Sequence, residues 1–374
     1  MIYLDNAATS YPKPPCTAEA MARALTACGA NPGRAGHALA LEAGRIVEGC
    51  REELAAMLGE ADAARVAFMF NATDALNTAI HGVLRTGDHV VATLLEHNSV
   101  LRPLSELSRS GVITLTLTAP QEDGRIRAED IEAAFTPRTR LVVMTHMSNV
   151  LGVAQDAAAV GAVCRRRGVL FLLDAAQTAG HLPLTPRAWG VSMLAMPGHK
   201  GLLGPHGTGA LWVSEGVRLA PLRQGGTGSA SESMLQPRLM PDMLESGTLN
   251  LPGIAGLRAG MRYAAAHREE GRGRVAAMCD MMRRMLLQIR RVRMYTPKGA
   301  SLVSFNIEGL ASQETASLLN DAGIAVRGGL HCAPGAHRFL GTLQTGAVRV
   351  SPGLFNTRED ALALVQAVER IAGA

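Results

Sequence analysis

Lysine is almost absent from this 374-residue chain, because only Lys13, Lys200 and Lys298 contribute to its 37 basic residues. The other basic residues are arginines, scattered without the clustered stripe or interleaved aromatics typical of nucleic-acid binding. We therefore interpret the net charge of +5 as general solvation and expect no nucleic-acid partner. A chain this poor in lysine raises the question of why one lies at position 200.

The sequence also lacks apolar runs long enough to span a bilayer, so we expect no membrane association. Its opening residues, MIYLDNAATS, contain no basic stretch followed by an apolar run, so we expect no signal peptide and a cytoplasmic location. The six cysteines form no C-x-x-C pair and show no metal-ligand spacing. Reduced thiols and no metal site are the expectation.

Aromatic residues make up only 3% of the chain, although 47% of it is hydrophobic, so the core must be packed mainly by aliphatic side chains. From about residue 65, short β-branched runs alternate with amphipathic stretches of helical length. This alternation predicts an α/β domain over residues 15–250, with a mainly parallel, seven-stranded sheet whose carboxyl ends collect the ligand-binding groups. The strand-like runs are RVAFMF, HVVATLL, VITLTLT, RLVVMTH, VLFLLD, VSMLAM and GALWV.

The pattern changes after ESGTLNLPG, where Pro252 can open a long helix that Gly271 and Gly273 are expected to interrupt. The remainder is typical of a smaller α+β domain, residues 251–374, which the N-terminal segment 1–14 joins. Its last helix is predicted to begin at Thr357, with Asp360 three residues on.

Three features in the first domain point to chemistry. Asn71 and Thr73 open a helix after a strand and could receive an anion, although an ordinary capped helix explains them equally well. Asp174 ends a buried strand; it could cap a helix or bind a metal, but a protonated ring nitrogen would satisfy it better. Lys200 lies in a Gly-rich turn, where it is either a solvated loop lysine or an amine poised for a Schiff base.

Ten motifs in order give the chain its resemblance to the fold type I pyridoxal-phosphate enzymes, specifically the cysteine desulfurase and selenocysteine lyase group of the class V aminotransferase superfamily. They are YLDNAAT, NPGRAGH, NATDALN, EHNSVLRP, THMSNVLG, DAAQTAG, GHKGLLGP, ESGTLN, RGGLHCAP and VRVSPGLFNT. The resemblance implies pyridoxal 5'-phosphate as cofactor and a homodimer with shared active sites.

The resemblance also assigns roles. Lys200 would hold the cofactor covalently and shuttle protons, Asp174 would keep the ring nitrogen protonated, and His97 would stack on the ring. Gln177 would donate to the ring oxygen, and Asn149 would assist both there and at the substrate carboxylate. Asn71 and Ala72 would help to bind the cofactor. Its phosphate would be bound by Thr73 and His199, with Thr248 reaching over from the second subunit. Substrate binding would involve His37, Asn149 and the carboxylate anchor Arg349.

Cys332 separates the possible reactions. A lone cysteine is usually a small buried hydrophobe, but this one lies in a Gly- and Pro-rich loop near Arg327, His331, His337 and Arg338, and we expect positive neighbours to stabilise its thiolate. The resemblance implies a cysteine desulfurase that moves sulfur from L-cysteine to Cys332 and on to an acceptor protein. Alternatives are a selenocysteine lyase acting on L-selenocysteine, a class V aminotransferase or β-lyase, and an inactive partner-binding paralogue.

The chain departs from the family pattern in two places. Pro197 stands where the family often has a serine that binds the phosphate, which removes a hydroxyl and a backbone donor. Cofactor binding is therefore expected to depend more on Thr73, His199 and Thr248. Gly328 and Gly329 precede the Cys332 loop and make the backbone that leads to Cys332 unusually permissive.

Overall fold

A computed structural model describes residues 1–32 and 36–373 of the chain. Three residues of the NPGRAGH motif, Gly33, Arg34 and Ala35, lie outside the described residues, as does Ala374.

Strands and helices alternate through most of the described chain. The strands are β1 Ile2–Tyr3, β2 Val66–Met69, β3 Asp88–Thr93, β4 Ile113–Thr118, β5 Thr139–Thr145, β6 Leu170–Asp174, β7 Met193–Pro197, β8 Gly209–Val213, β9 Val292–Met294, β10 Val303–Ile307, β11 Ile324–Ala325, β12 Arg327–Gly329 and β13 Ala347–Val350. The helices are α1 Pro15–Thr26, α2 Ala38–Met57, α3 Ala72–Val83, α4 Asn98–Arg109, α5 Ala128–Ala133, α6 Ala157–Arg167, α7 Pro186–Trp189, α8 Leu251–Leu286, α9 Ser312–Asp321, α10 Pro334–Phe339 and α11 Arg358–Gly373. A short 3₁₀ turn, Ala63–Arg65, precedes β2.

The main sheet has seven strands in the order β2-β8-β7-β6-β5-β3-β4. Strands β4, β3, β5, β6 and β7 run parallel to one another, whereas β8 is antiparallel to both β7 and β2. The predicted α/β fold with a mainly parallel seven-stranded sheet is therefore confirmed.

Both faces of this sheet are buried, because successive side chains along a strand point to opposite sides. In β6, Phe171 and Leu173 belong to one apolar core, which also contains residues of α2, α6 and α8. Leu172 lies in the other core, which contains residues of α3 and α4. This arrangement explains why the central strands consist of continuous apolar runs.

The carboxyl ends of β3, β5, β6 and β7 lie at one edge of the sheet, since these strands are parallel. Strand β2 ends at the same edge, because it is antiparallel to β8 and β8 is antiparallel to β7. The segments that follow these five strands carry the polar motifs noted in the sequence. The fold therefore places those motifs together, as parallel α/β sheets generally do.

A second, antiparallel sheet, β12-β13-β10-β9, packs with α9 and α11 around a third apolar core. The start of the chain joins it, since β1 pairs with β11 and Leu4 is buried in this core. Helix α8 contributes Leu251 to the first core and Met282 to the third, so it packs against both sheets. The division of the chain at residues 250 and 251 stays a prediction.

The prediction that Gly271 and Gly273 interrupt the long helix was wrong, because α8 is continuous from Leu251 to Leu286. A glycine in a helix costs only about 1 kcal/mol relative to alanine, which tertiary packing readily offsets. Gly271 is buried, and a Cβ there would collide with Leu354. The glycine therefore permits close packing against the 351–354 segment rather than ending the helix.

Helix α11 begins as predicted, with a reciprocal cap. The backbone N–H of Thr357 donates to Asp360 at 3.0 Å, and the N–H of Asp360 donates to the Thr357 hydroxyl at 3.3 Å. Within the part of the chain that the structure describes, no helix is both long and apolar enough to cross a membrane.

Candidate active site

The residues singled out in the sequence line one cavity of about 210 Å³ at the carboxyl edge of the main sheet, open on one side. Segments that follow five different strands contribute to it. Predicted site residues in its wall are Asn71, Ala72, Thr73, His97, Asn149, Asp174, Gln177, His199, Lys200 and Arg349. Arg327 and His331 also line the cavity.

The N-terminal segment fixes the turn that carries Lys200. The carbonyl oxygen of His199 accepts hydrogen bonds from the Ser10 N–H at 3.1 Å, the Thr9 hydroxyl at 3.1 Å and the Lys13 amine at 2.6 Å. The Ser10 hydroxyl donates to the carbonyl of Lys200 itself at 2.8 Å. Both peptide groups beside the candidate catalytic amine are therefore held in place by residues 9–13.

The Lys200 amine is poised for reaction near neutral pH. Burial lowers its pKa to about 8, and the nearby guanidinium groups of Arg349 and Arg327 act in the same direction. The carboxylate of Asp174 opposes them by stabilising the protonated amine. A larger fraction of the amine is therefore neutral and nucleophilic than in an exposed lysine.

Asp174 ends the buried strand β6 and accepts a 2.8 Å hydrogen bond from the N–H of Ala176. Burial raises the pKa of this carboxyl, while the Ala176 N–H and Lys200 lower it. A further cation or N–H donor in the cavity would offset the remaining cost of burying the Asp174 carboxylate. The site thus fits a ring whose protonated nitrogen points toward Asp174.

His97 caps α4 and lines the same cavity. Its Nδ1 accepts a 3.0 Å hydrogen bond from the N–H of Ser99, so the proton of the neutral ring resides on Nε2. Burial and the charge of Lys200 lower the pKa of His97 to about 4, which keeps the ring neutral at physiological pH. A neutral, fixed imidazole suits stacking against a planar ligand.

The start of α3, which forms part of the cavity wall, offers donors for an anion. Asn71 caps α3 by accepting from the Asp74 N–H at 2.9 Å, which leaves other first-turn N–H groups directed at the cavity edge. The Thr73 hydroxyl lies 2.7 Å from that of Ser99. His199 has a buried Nδ1 without a hydrogen-bond partner among the described residues, as expected where a ligand completes the site.

Arg349 in β13 lies at the end of the cavity nearest the second sheet, and its side chain is only 1% exposed. Its Nη2 donates to Asp5 at 2.6 Å and its Nη1 to the carbonyl of Asn149 at 3.3 Å. The buried Nε has no partner among the described residues. The Gln177 amide, also in the wall, donates to the carbonyl of Ala7 at 3.0 Å.

Cys332 is exposed, on a short loop between β12 and α10 that is docked onto the site. The Asn149 amide donates to the carbonyl of His331 at 2.7 Å, and the N–H of Asn98 donates to the carbonyl of Cys332 at 2.7 Å. His331 and Cys332 both have left-handed backbones, with φ of 51° and 56°. The loop is therefore held against the site by bonds on both sides of the thiol.

The expectation that histidines provide positive charge beside Cys332 was wrong. Burial, together with the charge of Arg349, lowers the pKa of His331 to about 3, and burial lowers that of His337 to about 4. Both rings are neutral at physiological pH. Their burial, which the sequence did not reveal, removes them as sources of charge and leaves the arginines.

Three predicted residues do not line the cavity. Cys332 lies beside it, as described above. His37 is exposed and caps α2 by accepting from the Ala40 N–H at 3.2 Å. Thr248 is exposed and lines a separate pocket with Phe70 and Gly207. The roles of His37 and Thr248 stay predictions.

Sequence reasoning missed Asp5, Ser99 and Glu96. Glu96 is fully buried behind His97, where its Oε1 accepts from the Thr93 hydroxyl at 2.6 Å and the Thr145 N–H at 2.8 Å. Burial raises its pKa to about 8, so it is mostly protonated at neutral pH. The signal was present, since Glu96 is an acidic residue just beyond a buried strand, as Asp174 is.

No group of three His, Cys, Asp or Glu side chains within residues 1–32 and 36–373 could hold a metal ion. The donors described above suit an organic ligand with a ring nitrogen and an anionic end.

Comparison with known proteins agrees with this geometry. The family described as Aminotransferase class-V matches residues 2–364. A probable cysteine desulfurase from Methanothermobacter thermautotrophicus is 36% identical over 384 residues, covering 100% of this chain and 95% of the relative. The apo structure of cysteine desulfurase from Thermococcus onnurineus superposes with a TM-score of 0.92 at 31% identity, covering 100% of this chain and 94% of that one. The cysteine desulfurase CsdA from Escherichia coli gives a TM-score of 0.90 at 27% identity, covering 98% and 94%.

Proposed function

Because the chain belongs to the class V aminotransferase family, we propose that it is a pyridoxal-phosphate-dependent cysteine desulfurase, which converts L-cysteine to L-alanine and retains the sulfur on Cys332. The observation that carries this proposal is the docked Cys332 loop. An aminotransferase needs no thiol there, whereas this fold secures the carbonyls of both His331 and Cys332 beside the cavity.

Pyridoxal 5'-phosphate, when bound, supplies a ring that withdraws electrons from the substrate Cα. Lys200 would attach it, Asp174 would hold its ring nitrogen protonated, and His97 would cover one face. Gln177 retains one amide hydrogen beyond its bond to Ala7 and would donate to the ring oxygen. The phosphate would be held at the start of α3 by Asn71, Ala72 and Thr73, and by Nδ1 of His199, which has no partner in the described part of the chain.

The remaining side chains divide the work on the amino acid. Arg349 would bind the carboxylate of L-cysteine, and Lys200 would move the proton at its Cα. The thiolate of Cys332 would attack the substrate sulfur as the bond between sulfur and Cβ breaks. The sum is L-cysteine plus the enzyme thiol giving L-alanine plus the enzyme persulfide, which balances without an external oxidant or reductant.

The proposal includes a homodimer and a sulfur-acceptor protein. In support of a dimer, the segment before Thr248 exposes Leu222, Met234, Leu235 and Leu239, which a second copy would bury. Thr248 would then reach the other copy's phosphate site. The exposure of Cys332 supports transfer of the persulfide to another protein. None of the six cysteines is disulfide-bonded, as is usual in proteins of reducing compartments, so we propose a cytoplasmic location.

Mixing two variants tests the shared site. Lys200→Ala and Thr248→Ala would each bind cofactor poorly as homodimers. After subunit exchange, about a quarter of the sites would combine an intact Lys200 from one copy with an intact Thr248 from the other. Recovered activity is the expected result; no recovery despite proven exchange would exclude the shared site.

The reaction is tested by measuring alanine release from L-cysteine, comparing wild type with Cys332→Ala at equal cofactor loading. Cys16→Ala is the matched control, because Cys16 is a partly exposed thiol that does not line the cavity. We expect loss of alanine formation only in Cys332→Ala.

If both proteins release alanine from selenocysteine alone, a selenocysteine lyase replaces the proposal. Amino transfer that depends on a keto acid would indicate an aminotransferase, and no turnover at all an inactive paralogue.

A further inference from the structure

Asp5 makes a close ion pair with the candidate carboxylate anchor. Its Oδ1 accepts from Nη2 of Arg349 at 2.6 Å, and both side chains are largely removed from solvent, 19% and 1% exposed. Such charge-assisted bonds fix the plane of a guanidinium group as well as neutralising it. Sequence analysis gave Asp5 no role, although it lies in the YLDNAAT motif.

The backbone around Asp5 is held against the strand that carries Arg349. Asp5 forms a parallel β-bridge with Ser351, and the N–H of Asn6 donates to the carbonyl of Ser351 at 3.1 Å. The next N–H, that of Ala7, donates to the Ser351 hydroxyl at 2.9 Å. Asp5 is therefore delivered to Arg349 by a fixed backbone rather than by a flexible side chain.

The charges near Arg349 make an opposing group necessary. Arg327 is its direct cross-strand partner in β12, and both Arg327 and Lys200 line the same cavity. Without an opposing charge, repulsion by these two cations would displace the buried guanidinium of Arg349. Asp5 provides the attraction that keeps Arg349 in place.

The contacts also define which donor remains free. Nη2 is bonded to Asp5 and Nη1 to the Asn149 carbonyl, whereas Nε is buried without a partner among the described residues. The guanidinium is thus anchored at its far end and keeps unsatisfied hydrogen-bonding capacity. An amino-acid carboxylate is the group that would use it.

We propose that Asp5 is a positioning residue that orients Arg349 for the carboxylate of the amino-acid substrate. This inference rests on the proposed function for the identity of the substrate. Asp5 acts through Arg349 and contacts neither the substrate nor the reacting atoms.

The test compares steady-state kinetics on L-cysteine for Asp5→Ala and Asp5→Asn. Asp5→Ala should raise KM about tenfold with kcat changed less than about threefold, because binding of the carboxylate is weakened in ground and transition states alike. Asp5→Asn should raise KM less, by about threefold, since the amide oxygen still accepts from Nη2 although the negative charge is lost. In an Arg349→Lys background, Asp5→Ala should add less than about a twofold change.

Ser351→Ala is the matched control. It removes the bond to the Ala7 N–H and loosens the same segment without touching the pair between Asp5 and Arg349. Its KM should rise far less than that of Asp5→Ala, because the bridge between Asp5 and Ser351 and the pair with Arg349 remain. An equal rise in KM for Ser351→Ala would show general loosening and overturn the proposal. A lower KM in Asp5→Ala would also overturn it, because Asp5 would then compete with the substrate.

Titration of the cofactor-loaded protein with L-alanine separates this inference from the proposed function. L-Alanine has the same carboxylate but no sulfur, and its binding is followed by the change in cofactor absorbance. A higher Kd in Asp5→Ala, with a smaller rise in Asp5→Asn, would support the role of Asp5 even if L-cysteine were not turned over. An unchanged Kd in Asp5→Ala would overturn it.

Discussion

The side-chain amide of Asn149 donates a 2.7 Å hydrogen bond to the carbonyl oxygen of His331, the residue before Cys332. The same asparagine accepts from Arg349 through its backbone carbonyl. Asn149, which lies in the segment after β5, thus connects the candidate carboxylate anchor with the loop that presents the thiol. It holds both groups of the site in place, in addition to any contact with a ligand.

Removing this amide should release the Cys332 loop. His331 and Cys332 hold left-handed backbones that cost of order 1 kcal/mol or more each and persist only where surrounding contacts impose them. We expect Asn149→Ala to label faster at Cys332 with a thiol reagent and to lower kcat for alanine formation about tenfold.

Asn320→Ala, at an exposed position on α9, is the control for thiol labelling and should match wild type. Labelling of Asn149→Ala at the wild-type rate would mean that the Asn98 N–H alone is sufficient to hold the loop.

The pKa of Lys200 predicts how the cofactor-free protein takes up pyridoxal phosphate. The neutral amine is the reactive form, and burial lowers its pKa to about 8, so the rate should rise with pH through that value and then level off. Asp174 stabilises the protonated amine, so Asp174→Asn should move the midpoint to lower pH. Stopped-flow absorbance measures both.

Lys298→Ala removes an exposed lysine and should leave this profile unchanged. A wild-type midpoint near pH 10, the ordinary value for lysine, would show that the amine is solvated and unperturbed.

The sequence predicted those parts of the site that follow from strand order. Asp174 and Lys200 each follow a buried strand, and a parallel sheet brings such ends together, so their proximity could be inferred without coordinates. Asp5 could not be found this way, because its contact with Arg349 joins opposite ends of the chain through the bridge between Asp5 and Ser351. No local pattern encodes that pairing.

Burial was the other property that local patterns did not reveal. His331 and His337 flank Cys332 in sequence, yet both are buried and neutral, so adjacency gave the wrong charge. Gly271 was expected to end a helix, but it lies inside α8, where the missing side chain leaves room for Leu354. In each case a tertiary contact outweighed the intrinsic preference of the residue.

A buried ion pair positions the segment that carries Thr248. Arg51 makes two bonds to Glu245, at 2.6 and 3.0 Å, and Glu245 also accepts from the N–H of Phe68 at 2.6 Å. Glu245→Ala leaves the buried Arg51 charge with only the exposed carboxylate of Glu48 and the Val66 carbonyl as partners, so we expect the free energy of unfolding to fall by about 3 kcal/mol. Urea unfolding provides the measurement.

The exposed pair of Arg109 and Glu106 is the control, because water screens it on α4. Glu106→Ala should leave the urea midpoint unchanged. If Glu245→Ala unfolded at the same urea concentration as Glu106→Ala, the buried pair would contribute no stability.

Buried neutral histidines should make the protein sensitive to mild acid. Burial lowers the pKa of His146 to about 4, of His331 to about 3 and of His337 to about 4. In the unfolded chain each takes up a proton below about pH 6.5, whereas the folded forms do not until about pH 4. The unfolded state then binds more protons, so each histidine should cost about 2 kcal/mol of stability between pH 7 and pH 5.

Glu96 acts in the opposite direction over the same range. Its folded pKa of about 8 means that the native state already holds a proton that the unfolded state, with an ordinary glutamate pKa, lacks until about pH 4.5. Acidification therefore recovers part of what the histidines lose, and the net change for wild type is smaller than their sum. Single variants are needed to separate the contributions.

His146→Gln should reduce the loss of unfolding free energy between pH 7 and pH 5 by about 2 kcal/mol, because glutamine does not titrate. Glu96→Gln should increase that loss, since it removes the carboxyl group whose protonation in the native state stabilises the protein as the pH falls. His81→Gln, at an exposed position on α3, should change neither value. Urea unfolding at the two pH values measures all three. If His146→Gln had the wild-type pH dependence, His146 would take up its proton at the same pH in the folded and unfolded states, and burial would not lower its pKa.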